Sequence, residues 1–344
     1  MNRKLFEPLV KPVNRNILKK ELTSERFLRP TRMGKNNVYV FDGVDAPNLM
    51  KEVGRLRELA FRDAGAGIGA ALDLDQYDTG EHKCRQLIVW DPAEEEIVGG
   101  CRFNTFEQYQ NQLNAAIPLI NKELYDLHPA FEKNYAPYFI ELTRAFIQPK
   151  YQTKHKDRKV FFALDNVWDG LGALLVQHPQ CRYFFGRLVI YPSYDPFMRD
   201  LLFYFFKKHL YDKDETLCAK FPYEPATIKD GLISCLKAKN ADKDFMELHK
   251  IARARNTVVP ALISAYYRVS DTMRVFDSVI DHHFGGCFAA AMMIAIADIK
   301  PNLIDRYMNP YKKFVKDKNT NKIFQFFCEK LHEDFLSCCQ ELQF

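Results

Sequence analysis

The chain has 344 residues, 47% of them hydrophobic and 27% charged, with 15 Gly and 17 Pro. That is the make-up of a packed globular protein and excludes a disordered, fibrous or staple-dependent chain. The net charge of +5 is uneven, because residues 1–35 carry ten Lys or Arg against three acids, a local +7 that leaves −2 for the remainder.

The basic N-terminal extension, 1–36, intersperses Leu5, Phe6, Leu9, Val13, Leu18 and Leu22 with its charges. Such a segment suits an anionic membrane surface or an acidic partner protein; the alternative is an arm that packs its apolar residues onto the domain. No helix-turn-helix, finger or aromatic-basic stripe accompanies it, so nucleic acid is not an expected partner. The start has no apolar leader core, and the longest apolar run, 287–297, falls short of the roughly 20 residues that span a bilayer. A cytoplasmic protein is expected, peripheral at most on the inner face of the membrane.

Residues 37–41 (NVYVF) read as a strand, and 46–62 as a helix with Leu49, Val53, Leu56 and Ala60 at helical spacing. The glycine-alanine run 64–71 reads as a mobile loop, since it lacks the register of a dinucleotide site. Residues 87–90 and 97–103, joined by DPAEEE, form a hairpin. Strand 138–146 (YFIELTRAF) puts Glu141 and Thr143 on one face and Leu142 and Arg144 on the other. A helix over 159–176, a strand over 183–191 and an aromatic helix over 199–210 follow. Residues 230–254 are helical, 258–268 are apolar, 287–299 suit either a buried strand or a buried helix, and 322–342 form an amphipathic terminal helix.

The motifs of P-loop enzymes, α/β-hydrolases and common zinc proteases are missing. Nine cysteines without a C-x-x-C pair read as reduced thiols. The cluster Asp277, Asp281, His282 and His283 matches no standard ligand spacing, so no metal is expected there.

The remaining chemistry lies between residues 54 and 195, in GRLRELAFRDAG, the acidic DLDQYDTGE, QLIVWD, IVGGCRF, IELTRAFIQPKY, FFALDNVWDGLGALL and RYFFGRLVIYPSYD. Together these resemble the hemolysin-like acyltransferases of the GNAT superfamily, the ornithine-lipid N-acyltransferase group, and most of all the Bacteroides-type glycine N-acyltransferases of glycine-lipid synthesis. They are more distantly similar to acyl-homoserine-lactone synthases. The resemblance covers about 20–300 and implies an α/β fold: a GNAT-like twisted mixed sheet flanked by helices over 37–300, with the basic extension before it and a helical C-terminal extension over 301–344.

It also implies transfer of a 3-hydroxy fatty acyl group from acyl carrier protein to the amine of an amino acid, glycine by resemblance, with no bound cofactor. Amine attack on a thioester needs a base and donors for the developing oxyanion. Glu141, between Phe139 and Leu142, is the first candidate for the base; the alternative is a buried ion pair with Arg144 or Arg102. Arg102 or Arg144 offers a two-pronged donor to the acceptor carboxylate; the alternative is a bridge to Asp75 or Asp78. The resemblance carries Asp75 and Asp78 over as substrate-binding candidates, and Tyr191 or Tyr194 is an acid for the departing thiolate or a core tyrosine.

Acetyl-CoA enzymes of the superfamily hold pyrophosphate on a glycine-rich turn. Here the corresponding loop is KYQTKHKDRK, without glycine but with Lys150, Lys154, Lys156 and Arg158. A basic patch suits an acidic carrier protein and its phosphopantetheine thioester better than acyl-CoA, the alternative being a solvated lysine loop. Gly170 and Gly172 within the helix admit either the acyl chain or a close neighbour. Two rival functions stand beside this one: acylation of a small amine from acyl-CoA, and a non-enzymatic, membrane-associating protein.

Overall fold

The computed structural model describes residues 6–80, 84–105, 122–152, 162–225 and 229–320. Its centre is an eight-stranded sheet. In chain order the strands are β1 (Phe27–Pro30), β2 (Asn37–Asp42), β3 (Arg85–Asp91), β4 (Glu96–Thr105), β5 (Tyr125–Leu127), β6 (Phe139–Ile147), β7 (Tyr183–Ile190), β8 (Leu217–Ala219), β9 (Arg274–Asp281) and β10 (Cys287–Ala295). The large sheet runs β1-β2-β3-β4-β6-β7-β10-β9, and β5 pairs with β8 in a small second sheet. Every neighbouring pair in the large sheet is antiparallel except β6 and β7.

Two helices cover opposite faces of this sheet. Helix Pro47–Asp63 turns Leu49, Val53, Leu56 and Ala60 onto Tyr39, Phe41, Ile88 and Trp90. Helix Ala163–Gln177 turns Val167, Leu171 and Leu174 onto Val38, Leu87, Phe103 and Leu142. Each Val, Leu, Ile or Phe side chain so buried stabilises the fold by about 1.5–3 kcal/mol. The β3–β4 turn has the expected Asp-Pro chemistry, with the Asp91 carboxylate accepting the Ala93 and Glu94 N–H groups at 2.9 and 3.2 Å.

The basic extension docks on the domain over its described part. Its Phe27–Pro30 is the sheet's edge strand, and helix Arg15–Glu21 buries Leu18. Arg15 pairs with Glu96 at 2.5 Å and Lys19 with Glu95 at 2.7 Å. The Glu21 carboxylate accepts the Asn48 and Leu49 N–H groups at 3.1 and 2.7 Å, satisfying donors at the start of helix Pro47–Asp63.

Residues 64–71 are irregular, as expected, yet their amides are tied down. Glu58 Oε2 accepts from Ile68 and Oε1 from Gly69, and Glu7 accepts from Ala71. The helical stretch expected over 230–254 is two helices, Lys229–Cys235 and Ala241–Ala254, the second capped by the Asn240 side chain. Residues 287–295 are a strand: β10 lies inside the sheet with neighbours on both edges, which explains an apolar run with no alternation. The terminal helix expected over 322–342 lies outside the described residues.

β6 and β7 pair only from Phe139–Tyr183 to Leu142–Gly186. Beyond that point β6 continues along β4 and β7 along β10, so the two strands fork. Gly186 sits at the base of the fork, where a Cβ would come within 2.9 Å of the Leu142 carbonyl. At the same place β6 bulges. Arg102 opposes Thr143 but Gly100 opposes Phe146, and Arg144 takes a left-handed φ of 52°.

Candidate active site

The bulge decides where Arg144 points. Strict alternation would send it to the face opposite Glu141 and Thr143. Instead its guanidinium lies with the Glu141 and Thr143 side chains on the face covered by helix Pro47–Asp63, where its Nε is 3.1 Å from Asp73 Oδ2 and its Nη2 3.6 Å from Asp75 Oδ2. The sequence expectation for its facing is therefore corrected by the one extra residue in β6.

Around it stands a polar cluster in an otherwise apolar interior. Arg102 Nη1 donates to Asp75 Oδ1 at 2.6 Å and contacts Asp78 Oδ2 at 3.1 Å, while its Nε donates to Thr143 Oγ1 at 3.0 Å. From the helix above, Arg57 Nη1 donates to Asp78 Oδ1 at 3.0 Å and Arg57 Nη2 to Gln86 Oε1 at 2.5 Å. Gln86 Nε2 donates back to Asp78 Oδ1 at 2.9 Å. Asp75 and Asp78 also form a capping box at the short helix Gln76–Thr79, so local backbone geometry fixes their spacing.

Exposure divides the cluster into closed and reachable groups. The side chains of Arg102 and Asp78 are 0% exposed, whereas Arg144 is 14% and Asp75 30% exposed. Arg102 and Asp78, expected to touch substrate, are sealed between other side chains and serve to position Asp75 and helix Pro47–Asp63. Arg144 and Asp75 reach the surface of the site. Glu141 is buried opposite Asn104 and Phe185, behind that surface.

The electrostatics follow the packing. Burial alone would raise Asp78, but the Arg57 and Arg102 guanidiniums outweigh it and hold it below the usual carboxylate range. Burial would lower Arg102, but Asp78 and Asp75 outweigh it and hold it above the usual range. Asp73 goes the other way. Burial raises it against the opposing charge of Arg144, and neither of its oxygens has a hydrogen-bond partner among the described residues.

Tyr191 is pushed up to about 12 by burial and packs against the apolar cluster that holds Phe61, Phe284 and Cys287. The Tyr194 hydroxyl donates to the Val258 carbonyl at 2.9 Å. Gly170 and Gly172 lie where protein already fills the space: a Cβ on the first would meet Leu87 Cδ1 at 2.7 Å and on the second the Tyr307 carbonyl at 2.6 Å. Close packing, not an acyl chain, explains both. Lys154, Lys156 and Arg158 lie outside the described residues, and Lys150 pairs with Glu94 and Glu96.

Several site residues went unrecognised in the sequence. Arg57 stands four residues after Val53, on the apolar face of its helix, and a charge there was a legible signal. Arg187 on β7, just past the fork, holds Asp281 Oδ2 at 2.6 Å. Asp281 in turn accepts the His283 and Phe284 N–H groups at 3.0 and 3.1 Å, so this acid shapes a turn.

Residues 56–160 match the model of the acetyltransferase (GNAT) domain. A glycine N(alpha)-acyltransferase of Phocaeicola vulgatus is 39% identical over 311 residues, 90% of this chain and 94% of that protein. A glycine N(alpha)-acyltransferase of Bacteroides thetaiotaomicron is 40% identical over 314 residues, 90% of this chain and 91% of that protein. No solved structure matches the chain significantly.

Proposed function

We propose, on the premise that the chain belongs to the glycine N(alpha)-acyltransferase family, that it transfers a 3-hydroxy fatty acyl group from the thioester of an acyl carrier protein to the amine of glycine. The observation that carries the assignment of the acceptor site is the exposure of Arg144 and Asp75 against the closure of Arg102 and Asp78.

Glycine brings a carboxylate and an ammonium. The Arg144 guanidinium takes the carboxylate through paired N–H donors, and Asp75 accepts from the nitrogen and aims it into the fork between β6 and β7. The ammonium gives up one proton before it attacks. Its nitrogen then bonds to the thioester carbon, and collapse of the tetrahedral intermediate breaks the C–S bond. The second nitrogen proton leaves in that step, and the thiolate departs as a thiol after taking up a proton.

Glu141 is the base in this reading. Being buried, it receives the first proton by way of Tyr77, which stands on the short helix capped by Asp75 with its ring centroid 5.5 Å from the Arg102 guanidinium carbon. The Tyr77 phenol is kept protonated by burial, reinforced by the charges of Asp75 and Glu141. The glycine-free basic run 150–159 supports a carrier-bound donor, because dispersed positive charge steers an acidic protein. Exposed Lys11 and Lys20 of the docked extension support peripheral contact with anionic inner-membrane lipid, where the product partitions.

Purified protein supplied with 3-hydroxyacyl carrier protein and single amino acids should release carrier thiol with glycine. No release above background sinks the reading, and release with acyl-CoA but not with the carrier thioester would replace the donor. Glu141→Gln should lose turnover while still binding glycine; unchanged turnover removes Glu141 as the base.

A further inference from the structure

The turn between β9 and β10, Asp281 to Cys287, has no part in the reaction described above, yet it reaches directly over the acceptor arginine. Phe284 lies with its ring centroid 5.0 Å from the Arg144 guanidinium carbon. It also meets the Phe61 ring edge-to-face at 4.9 Å. The ring is buried, at 6% exposure. Its place is fixed by Asp281, which accepts the Phe284 N–H at 3.1 Å and is itself anchored to Arg187 at 2.6 Å.

The glycine-alanine loop closes against the same turn. Gly285 has a φ of 65°, and a Cβ there would lie 3.1 Å from Ala66 Cα and 3.3 Å from the Gly67 carbonyl. Gly67 has a φ of 100°, and a Cβ there would lie 2.9 Å from Glu58 Oε1. The two loops thus approach to backbone contact, and Glu58 holds one of them by two amides. The wall that Phe284 belongs to is braced from both sides.

Arg144 has little freedom in how it meets a carboxylate. Its Nε edge faces Asp73, its Nη2 faces Asp75, and the Phe284 ring centroid lies 5.0 Å from its guanidinium carbon. A carboxylate is left the remaining Nη edge, and with the Phe284 ring 5.0 Å from the guanidinium carbon the acceptor's α-carbon comes close to that ring. Hydrogens on that carbon fit. A methyl or larger group on the ring side meets a buried aromatic packed against Phe61.

We propose that Phe284 restricts the acceptor to glycine by closing the space that an amino-acid side chain would occupy beside Arg144. The inference rests on the reading of Arg144 as the carboxylate site. It explains why a turn with two adjacent glycines carries one large apolar side chain, and why that side chain lies against a cation.

The test compares kcat/KM for glycine, alanine and serine in the full chain, wild type beside Phe284→Ala and Phe284→Leu, with 3-hydroxyacyl carrier protein as donor. A methylene is worth about 10- to 200-fold in a shaped apolar pocket, so the alanine-to-glycine ratio should rise about tenfold or more in Phe284→Ala. Phe284→Leu, which keeps apolar bulk against Phe61, should give a smaller rise and serves where the alanine variant fails to fold. An unchanged ratio in a folded variant overturns the proposal while leaving glycine acylation intact. If wild type itself shows no glycine turnover, the functional reading falls first, and this inference falls with it.

Discussion

Asp78 holds Arg57 and Arg102 at once, its Oδ1 3.0 Å from the Nη1 of the first and its Oδ2 3.1 Å from the Nη1 of the second. One fully buried carboxylate therefore joins helix Pro47–Asp63 to the middle of the sheet. Removing it as Asp78→Ala leaves two buried guanidiniums short of a counter-charge, and breaking a buried pair this way costs about 3–5 kcal/mol. Urea unfolding should show a loss of that order, with Asp78→Asn losing less because the amide oxygen still accepts. A loss under about 1 kcal/mol, the range of a surface pair, would mean that the cluster does not tie the layers together.

The two buried acids respond to pH in opposite senses. Asp78 is depressed in the folded state, so its contribution is present above its unfolded pKa and is lost as pH falls through the folded value. Asp73 is raised, so its contribution is present below its unfolded pKa and is lost as pH rises through the folded value. Stability measured from neutral pH downward should fall less steeply in Asp78→Asn than in wild type, and more steeply in Asp73→Asn. Parallel curves for all three proteins would contradict both assignments.

Reachable and sealed arginines should fail differently. Arg144→Lys keeps the charge but loses the planar fork that a carboxylate fits, so KM for glycine should rise about tenfold or more, the loss of one charge-assisted hydrogen bond, with a smaller change in kcat. Arg102→Lys acts through the placement of Asp75 and Thr143. It should lower thermal stability and kcat together, with glycine KM less affected. Steady-state kinetics beside a thermal melt separates the two, and the same KM shift in both variants would remove the distinction.

How far the sequence revealed this site depends on which residues broke a pattern. The β3–β4 hairpin, helix Pro47–Asp63 and strand β6 were legible because Asp-Pro turn chemistry and apolar periodicity are local. The pairing of Arg102 with Thr143 follows from neighbouring strands. The bulge at Arg144 was not legible, since an extra residue in one strand shows only against its partner. The burial of Asp78 was hidden for the same kind of reason: its two arginines arrive from Arg57, 21 positions before it, and from β4. The His-rich turn looked at most like a candidate metal cluster, and its working residue there is the phenylalanine that no polar motif would single out.

Gly170 and Gly172 share a helix but not a neighbour, and their alanine variants should part accordingly. A helix gains about 1 kcal/mol when Gly becomes Ala, and overpacking costs about 1–3 kcal/mol. At Gly170 the added methyl meets only side-chain ends, Leu87 Cδ1 and Cδ2 at 2.7 and 2.9 Å and Val38 Cγ1 at 3.0 Å, which yield more readily than backbone, so the helix gain offsets more of the cost. At Gly172 it meets the Tyr307 carbonyl and carbonyl carbon at 2.6 and 2.7 Å, and that backbone cannot yield without moving the segment whose Tyr307 and Arg306 side chains bond to Asp165. Gly172→Ala should therefore lower the melting temperature measurably, and Gly170→Ala much less. Because both sites are packing contacts, activity per folded molecule should hold in each; a Gly172→Ala protein that melts normally but has lost its preferred acyl chain length would return that glycine to the donor site.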